Sequence, residues 1–98
     1  MSFKIVYLPI AEQDLGNIAD YLSNFYSSTF KSFIVMLEKS IANLQAMPYI
    51  GVKYRNYHKL IVSEYLIFYQ VDENENIVKI YRILHSLRDS ELEKFKQE

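Results

Sequence analysis

Two runs of cationic and imidazole side chains carry most of the chemistry open to this chain. Lys53, Arg55, His58 and Lys59 form one run with no acid among them, and Lys79, Arg82, His85 and Arg88 form another. A histidine at the end of a strand, with arginines on either side, can exchange a proton near neutral pH while the cations hold a developing negative charge. Phosphodiester cleavage asks for that set. His85, Arg82 and Arg88 are therefore the candidate catalytic residues if the chain is a nuclease; the alternative is a structural histidine that hydrogen-bonds the strand end. Tyr49, Tyr54 and Tyr57 interleave the first run. Aromatic rings among cations stack nucleobases, so Lys53, Arg55, His58 and Lys59 are candidates for contacting a nucleic acid or another target. The bland alternative is a solvated set of strand and loop charges.

Composition removes most other chemistries. The chain has 98 residues, 11 Lys plus Arg, 12 Asp plus Glu and a formal net charge of −1. That length suits one domain over residues 1–98, and that charge does not suit a strongly basic nucleic-acid binder. There are no cysteines and only two histidines, which excludes disulfides, thiolate zinc sites, iron–sulfur clusters, a cysteine nucleophile and a three-histidine metal site. No metal or other cofactor is expected. Only two glycines occur, too few for a phosphate-cradling loop. No spacing marks a Ser-His-Asp triad or a pair of glycosidase carboxylates. No apolar run approaches ~20 residues and the N-terminus lacks a signal-peptide pattern, so the expectation is a cytoplasmic protein without a membrane span.

Charge is distributed unevenly. Residues 1–50 hold three basic and four acidic side chains, residues 51–88 six and four, and residues 89–98 two and four. Three of the middle acids, Asp72, Glu73 and Glu75, fall in one polar stretch, "DENEN". If the strands on either side pair, the two cationic runs could meet as one positive patch.

The elements that must position these residues follow from periodicity. The β-branched and aromatic stretch 3–8 predicts a strand. Ala11, Leu15, Ile18, Leu22 and Phe25 recur at helical spacing, with Glu12, Asp14, Asn17, Asp20 and Asn24 placed opposite, predicting a helix over about 10–26. Gly16 inside it suggests a closely packed neighbour. Phe30, Phe33, Leu37, Ile41 and Leu44 predict a second helix over about 28–47, stopped by Pro48. Strands follow at 58–63, 65–71 and 77–84, and residues 89–98 read as a short helix or frayed tail. The order is β-α-α-β-β-β, an α+β fold with an antiparallel helical hairpin on one face of a small, mostly antiparallel sheet.

With these motifs in order, the chain resembles the RelE/ParE family of toxins from bacterial type II toxin–antitoxin modules over about residues 3–89. The resemblance rests on "YLPIAEQDLGNIADYL", on "SIANLQAMPYIG" and on the closing "YLIFYQVDENENIVKIYRILHSLRD". It implies a growth inhibitor neutralised by a cognate antitoxin, in a toxin–antitoxin hetero-oligomer, with the antitoxin's C-terminal segment wrapped around the toxin. Tyr21, Phe25, Tyr26 and Phe30 are the implied antitoxin contacts on the helices. RelE-like members cut messenger RNA on the ribosome, whereas ParE-like members poison DNA gyrase. In RelE-like proteins a phosphate-binding arginine stands in the strand read here as 65–71; this chain has Leu66 there. That departure favours the ParE-like branch. The RNA-cutting reading through His85, Arg82 and Arg88 is the alternative, and a non-toxic relative that only binds antitoxin is a third.

Overall fold

The computed structural model describes residues 2–25 and 27–86, with backbone alone at residues 25 and 27–30. Arg88, Tyr26 and the tail read at 89–98 lie outside the described residues. The elements are β1 (Lys4–Tyr7), α1 (Pro9–Phe25), α2 (Ser27–Ala42), a 3-10 turn (Asn43–Gln45), β2 (Val52–Tyr54), β3 (Tyr57–Val62), β4 (Tyr65–Asp72) and β5 (Ile77–His85). The expected α+β architecture is present. A short strand, β2, precedes the three that periodicity predicts, and the second helix yields to the 3-10 turn before Met47. The turn places Leu44 in the core and lets the Gln45 carbonyl accept the Phe3 amide at 2.8 Å.

The five strands form one sheet in the order β1-β5-β4-β3-β2. β1 pairs with β5 in parallel, and the other neighbours are antiparallel. Pro9 suits the first turn of α1 because its missing N–H would have no intrahelical partner there. Ala11 and Ile18 of α1 and Leu37 and Ile41 of α2 meet Ile67, Tyr69, Val78, Ile80 and Ile83 in one core, so both helices lie on one sheet face. Side chains alternate along a strand. Phe68 and Leu84 therefore bury on the opposite face, with Tyr54, Tyr57 and Leu66 packed against them.

Two sequence expectations within α1 change. Gly16 is exposed, and a Cβ added there would meet nothing within 4 Å; no neighbour packs close. Gly16→Ala should therefore stabilise the protein by about 0.4–1 kcal/mol through helix propensity and a less disordered unfolded chain. A urea midpoint below that of the parent would show that a neighbour does approach the helix. Asp14, placed on the polar face by the sequence pattern, instead sits between Ala11 and Ile18 on the buried stripe, one turn from each.

Candidate functional site

The expected joining of the two cationic runs does not occur, because β4 lies between β3 and β5. Each run is resolved into separate sites by strand parity and by local pairing.

Arg82 is turned toward α1. Its Nε and guanidinium NH2 donate to Asp14 Oδ2 at 2.8 Å and Oδ1 at 3.1 Å, and the Ile83 amide donates to Oδ2 at 2.9 Å. The two side chains are only 15% and 11% exposed. A slip in register makes this possible: Phe68 pairs with Arg82 but Tyr69 with Ile80, so Tyr81 is an extra residue in β5. The extra residue turns Ile83 inward with Val78 and Ile80, and sends Tyr81 against the Tyr57 ring at 5.0 Å. One carboxylate of α1 thus closes the bulge with three charge-assisted hydrogen bonds.

His85 is buried at the far end of β5. Its Nε2 lies 3.1 Å from Glu64 Oε2, its ring meets Tyr65 edge-on at 5.1 Å, and the Ser86 amide donates to the Glu64 carbonyl at 2.9 Å. The imidazole is 8% exposed and the Glu64 carboxylate 70%, so the pair clasps the end of β5 to the β3–β4 turn. His85 also lines a cavity of about 260 Å³ with Tyr21, Leu22, Phe33, Ser63, Glu64 and Tyr65. Two sequence candidates with different assigned roles, His85 and Tyr21, therefore share one cavity, while Arg82 is not among its lining residues. Leu66, on the other sheet face, packs with Phe68 and Leu84, and its strand partner Ile61 is 61% exposed.

The first run assembles into a cleft. Lys53, Arg55 and His58 line a cavity of about 360 Å³ with Tyr49, Asn56, Tyr57, Gln70 and Val71. Lys59 does not join them. It follows His58 in β3, so it points to the opposite face, where its Nζ lies 5.4 Å from the Tyr54 ring centre. His58 is held between two tyrosines, stacked on Tyr69 at 5.5 Å and edge-on to Tyr49 at 5.4 Å. Burial, and then the charge of Lys53, lower its pKa below the ordinary histidine value, so it is neutral at pH 7. Arg55 has φ 55° at the β2–β3 turn, a conformation costing a non-glycine residue about 1–3 kcal/mol. Its guanidinium lies 5.8 Å from the Tyr54 ring centre.

Tyr49, which the sequence set among the cations, and Gln70, to which the charge run did not point, complete this cleft. The Tyr49 hydroxyl donates to Glu73, tying the segment after the 3-10 turn to the β4–β5 turn. Gln70 Nε2 donates to the Asn56 carbonyl at 2.9 Å, linking β4 to the β2–β3 turn. Tyr49, Gln70 and Val71 also line a second recess of about 610 Å³ with Asp72, Glu73, Asn74 and Lys79, so the two spaces share these three residues. Among the described residues no group of three or more His, Asp or Glu side chains is placed to hold a metal ion, and no helix is long and apolar enough to cross a membrane.

A sequence model described as "ParE toxin of type II toxin-antitoxin system, parDE" matches residues 5–90. No curated protein matches the chain. Among solved structures, the chain is similar to one from the chromosomal ParDE toxin–antitoxin system of P. aeruginosa, with TM-score 0.72, 15% identity, and 86% of this chain and 96% of that one covered. It is also similar to a chain of the RelBE2 toxin–antitoxin complex from Mycobacterium tuberculosis, with TM-score 0.64, 17% identity, and 87% and 99% covered. A mutant of the E. coli toxin RelE in the free state aligns with TM-score 0.58 and 16% identity, over 96% of this chain and 93% of that one. At these identities the structures establish a shared fold.

Proposed function

The chain belongs to the family of ParE toxins of type II toxin–antitoxin systems, and from that premise we propose that it arrests growth by binding DNA gyrase, with no chemical step of its own. The observation that supports binding over RNA cleavage is the packing of Leu66. The position where RelE-like relatives carry a phosphate-binding arginine is here an apolar side chain set against Phe68 and Leu84. A transition-state phosphate would find no cation there. Arg82 and His85 are in keeping with this reading, since Asp14 and Glu64 hold them in structural pairs.

A toxin that acts by binding needs a rigid surface with strongly placed charges. Lys53, Arg55 and His58, with Tyr49, supply that surface at the exposed end of the sheet. The cognate antitoxin would cover the helices near Tyr21, Phe25, Tyr26 and Phe30. Tyr21 is 38% exposed and lines the His85 cavity.

The test is a supercoiling assay with purified gyrase, run beside ribosome-dependent cleavage of messenger RNA. The toxin should inhibit supercoiling and leave the RNA intact. Lys53→Glu with Arg55→Glu should raise the half-inhibiting concentration at least about 10-fold, because charge reversal at a contact removes 1.4 kcal/mol or more. RNA cleavage together with unimpaired supercoiling would overturn the proposal and return His85, Arg82 and Arg88 to a catalytic role.

A further inference from the structure

We propose that the cleft beside the β2–β3 turn binds a nucleoside phosphate, with Lys53 and Arg55 on the phosphate and the Tyr49 ring against the base. The inference rests on reading Lys53, Arg55 and His58 as a contact surface, and it does not depend on gyrase as the target.

The cleft has unequal ends. Lys53 and Arg55 are exposed, and among the described residues neither forms a salt bridge. The nearby acids are engaged internally. Asp72 accepts the Glu75 amide at 3.1 Å and faces Lys79 at 3.7 Å, while Glu73 accepts the Tyr49 hydroxyl. No acidic residue is among the described residues lining this cleft, so its cationic end is left to attract an anion, and the turn keeps a charged residue at a backbone conformation that glycine would adopt without strain.

The middle of the cleft suits a planar, polar ring. Tyr49 is 50% exposed, yet it is braced by the tilted His58 ring at 5.4 Å and by Glu73 at its hydroxyl. A braced, half-exposed aromatic ring is a stacking platform for any base. Gln70 donates one N–H of its amide to Asn56, which holds the amide in place and leaves its carbonyl oxygen to accept from an exocyclic amine. His58, neutral at pH 7, offers one ring N–H and one lone pair without adding to the charge. The space of about 360 Å³ is within the range of small-molecule sites.

Two other anionic ligands fit less well. A bare phosphate would make no use of the ring. An acidic peptide long enough to continue along the cleft would run into Asp72 and Glu73, which line the adjoining recess.

Nuclear magnetic resonance titration of the full chain tests this, with AMP, ribose 5-phosphate, a ten-residue oligothymidylate and a poly-glutamate peptide as probes. AMP should shift the Tyr49 and His58 ring signals saturably and bind at least 10-fold more tightly than ribose 5-phosphate. Lys53→Ala with Arg55→Ala should weaken AMP at least 10-fold, and Tyr49→Ala should bring AMP down to the level of ribose 5-phosphate. Oligothymidylate binding more tightly than AMP, at the same residues, would place the nucleotide within a single strand; the reverse order would make it a free nucleotide. Poly-glutamate binding more tightly than both would overturn the proposal in favour of an acidic peptide, as would the absence of saturable shifts with AMP and oligothymidylate. AMP binding without gyrase inhibition would sink the gyrase reading alone, and gyrase inhibition without binding of either nucleotide probe would sink this one alone.

Discussion

Asp14→Ala is expected to cost the fold about 3–5 kcal/mol, because it leaves a guanidinium at the helix–sheet contact without its counter-charge. Asp14 accepts three hydrogen bonds, two from Arg82 and one from the Ile83 amide. The two side chains are only 15% and 11% exposed. For a chain of this size the loss corresponds to a fall in Tm of about 12 °C or more. Asp14→Asn should fall between alanine and the parent, since its carbonyl oxygen still accepts the Ile83 amide while its NH2 opposes the guanidinium. Asp14→Leu combined with Arg82→Met should recover part of the loss, as an apolar pair often replaces a buried ion pair at little cost, while the Ile83 amide still lacks its acceptor. Urea denaturation of the single and double variants measures the coupling directly. A cost below ~1 kcal/mol for Asp14→Ala would mean that the pair behaves as a surface ion pair.

The same variants bear on mechanism. If Arg82 acts only through Asp14, loss of toxicity in Arg82→Ala will track loss of stability, and the Asp14→Leu, Arg82→Met double variant will regain toxicity along with fold. Toxicity lost at unchanged Tm would give Arg82 a chemical role instead.

The second large effect is expected at Gly51. A Cβ there would stand 2.7 Å from the Tyr69 hydroxyl, 2.8 Å from the Lys59 carbonyl oxygen and 3.0 Å from Tyr69 Cε1. Tyr69 is fully buried and cannot swing aside, and the Lys59 carbonyl belongs to the β3 backbone. Gly51→Ala should therefore cost about 1–3 kcal/mol in overpacking. If the Gly51 amide also parts from the Tyr69 hydroxyl, which accepts it at 2.9 Å, a further ~1–3 kcal/mol is lost. Adding Tyr69→Phe should relieve the contact with the hydroxyl and leave the contact with Lys59, so the double variant should recover only in part. Thermal unfolding reads both. Because Gly51 stands between Tyr49 and Lys53, the substitution should also weaken target binding. A parent-like Tm would show that the segment before β2 can lift off the sheet without cost.

Several features were legible in the residues. Hydrophobic spacing of three and four placed both helices, and β-branched runs placed β1, β3, β4 and β5. Parity within β3, which the grouping of Lys53, Arg55, His58 and Lys59 by charge leaves out, separates His58 from Lys59, since adjacent strand residues face opposite ways. The β2 strand escaped notice because "VKY" is three residues long and has an exposed apolar side chain, Val52; its pairing depends on the β3 edge and on the close approach at Gly51. Asp14 was read as polar-face decoration because a carboxylate on an apolar stripe has meaning only once a cation is known to arrive from 68 residues away.

The sequence by itself determined the order of elements apart from β2, the apolar stripes of the helices apart from Asp14, the acid-free cationic run from Lys53 to Lys59 and the family resemblance. Each depends on residues close together along the chain, where side-chain periodicity and charge are directly visible. Only the tertiary structure decided that β1 joins β5 in parallel, that Tyr81 forms a bulge, that Arg82 and His85 are held by Asp14 and Glu64, and that Tyr49 and Gln70 close a cleft around Lys53, Arg55 and His58. Those outcomes depend on contacts distant along the chain. Sheet register and the satisfaction of buried polar groups select them together, and local spacing carries no record of either.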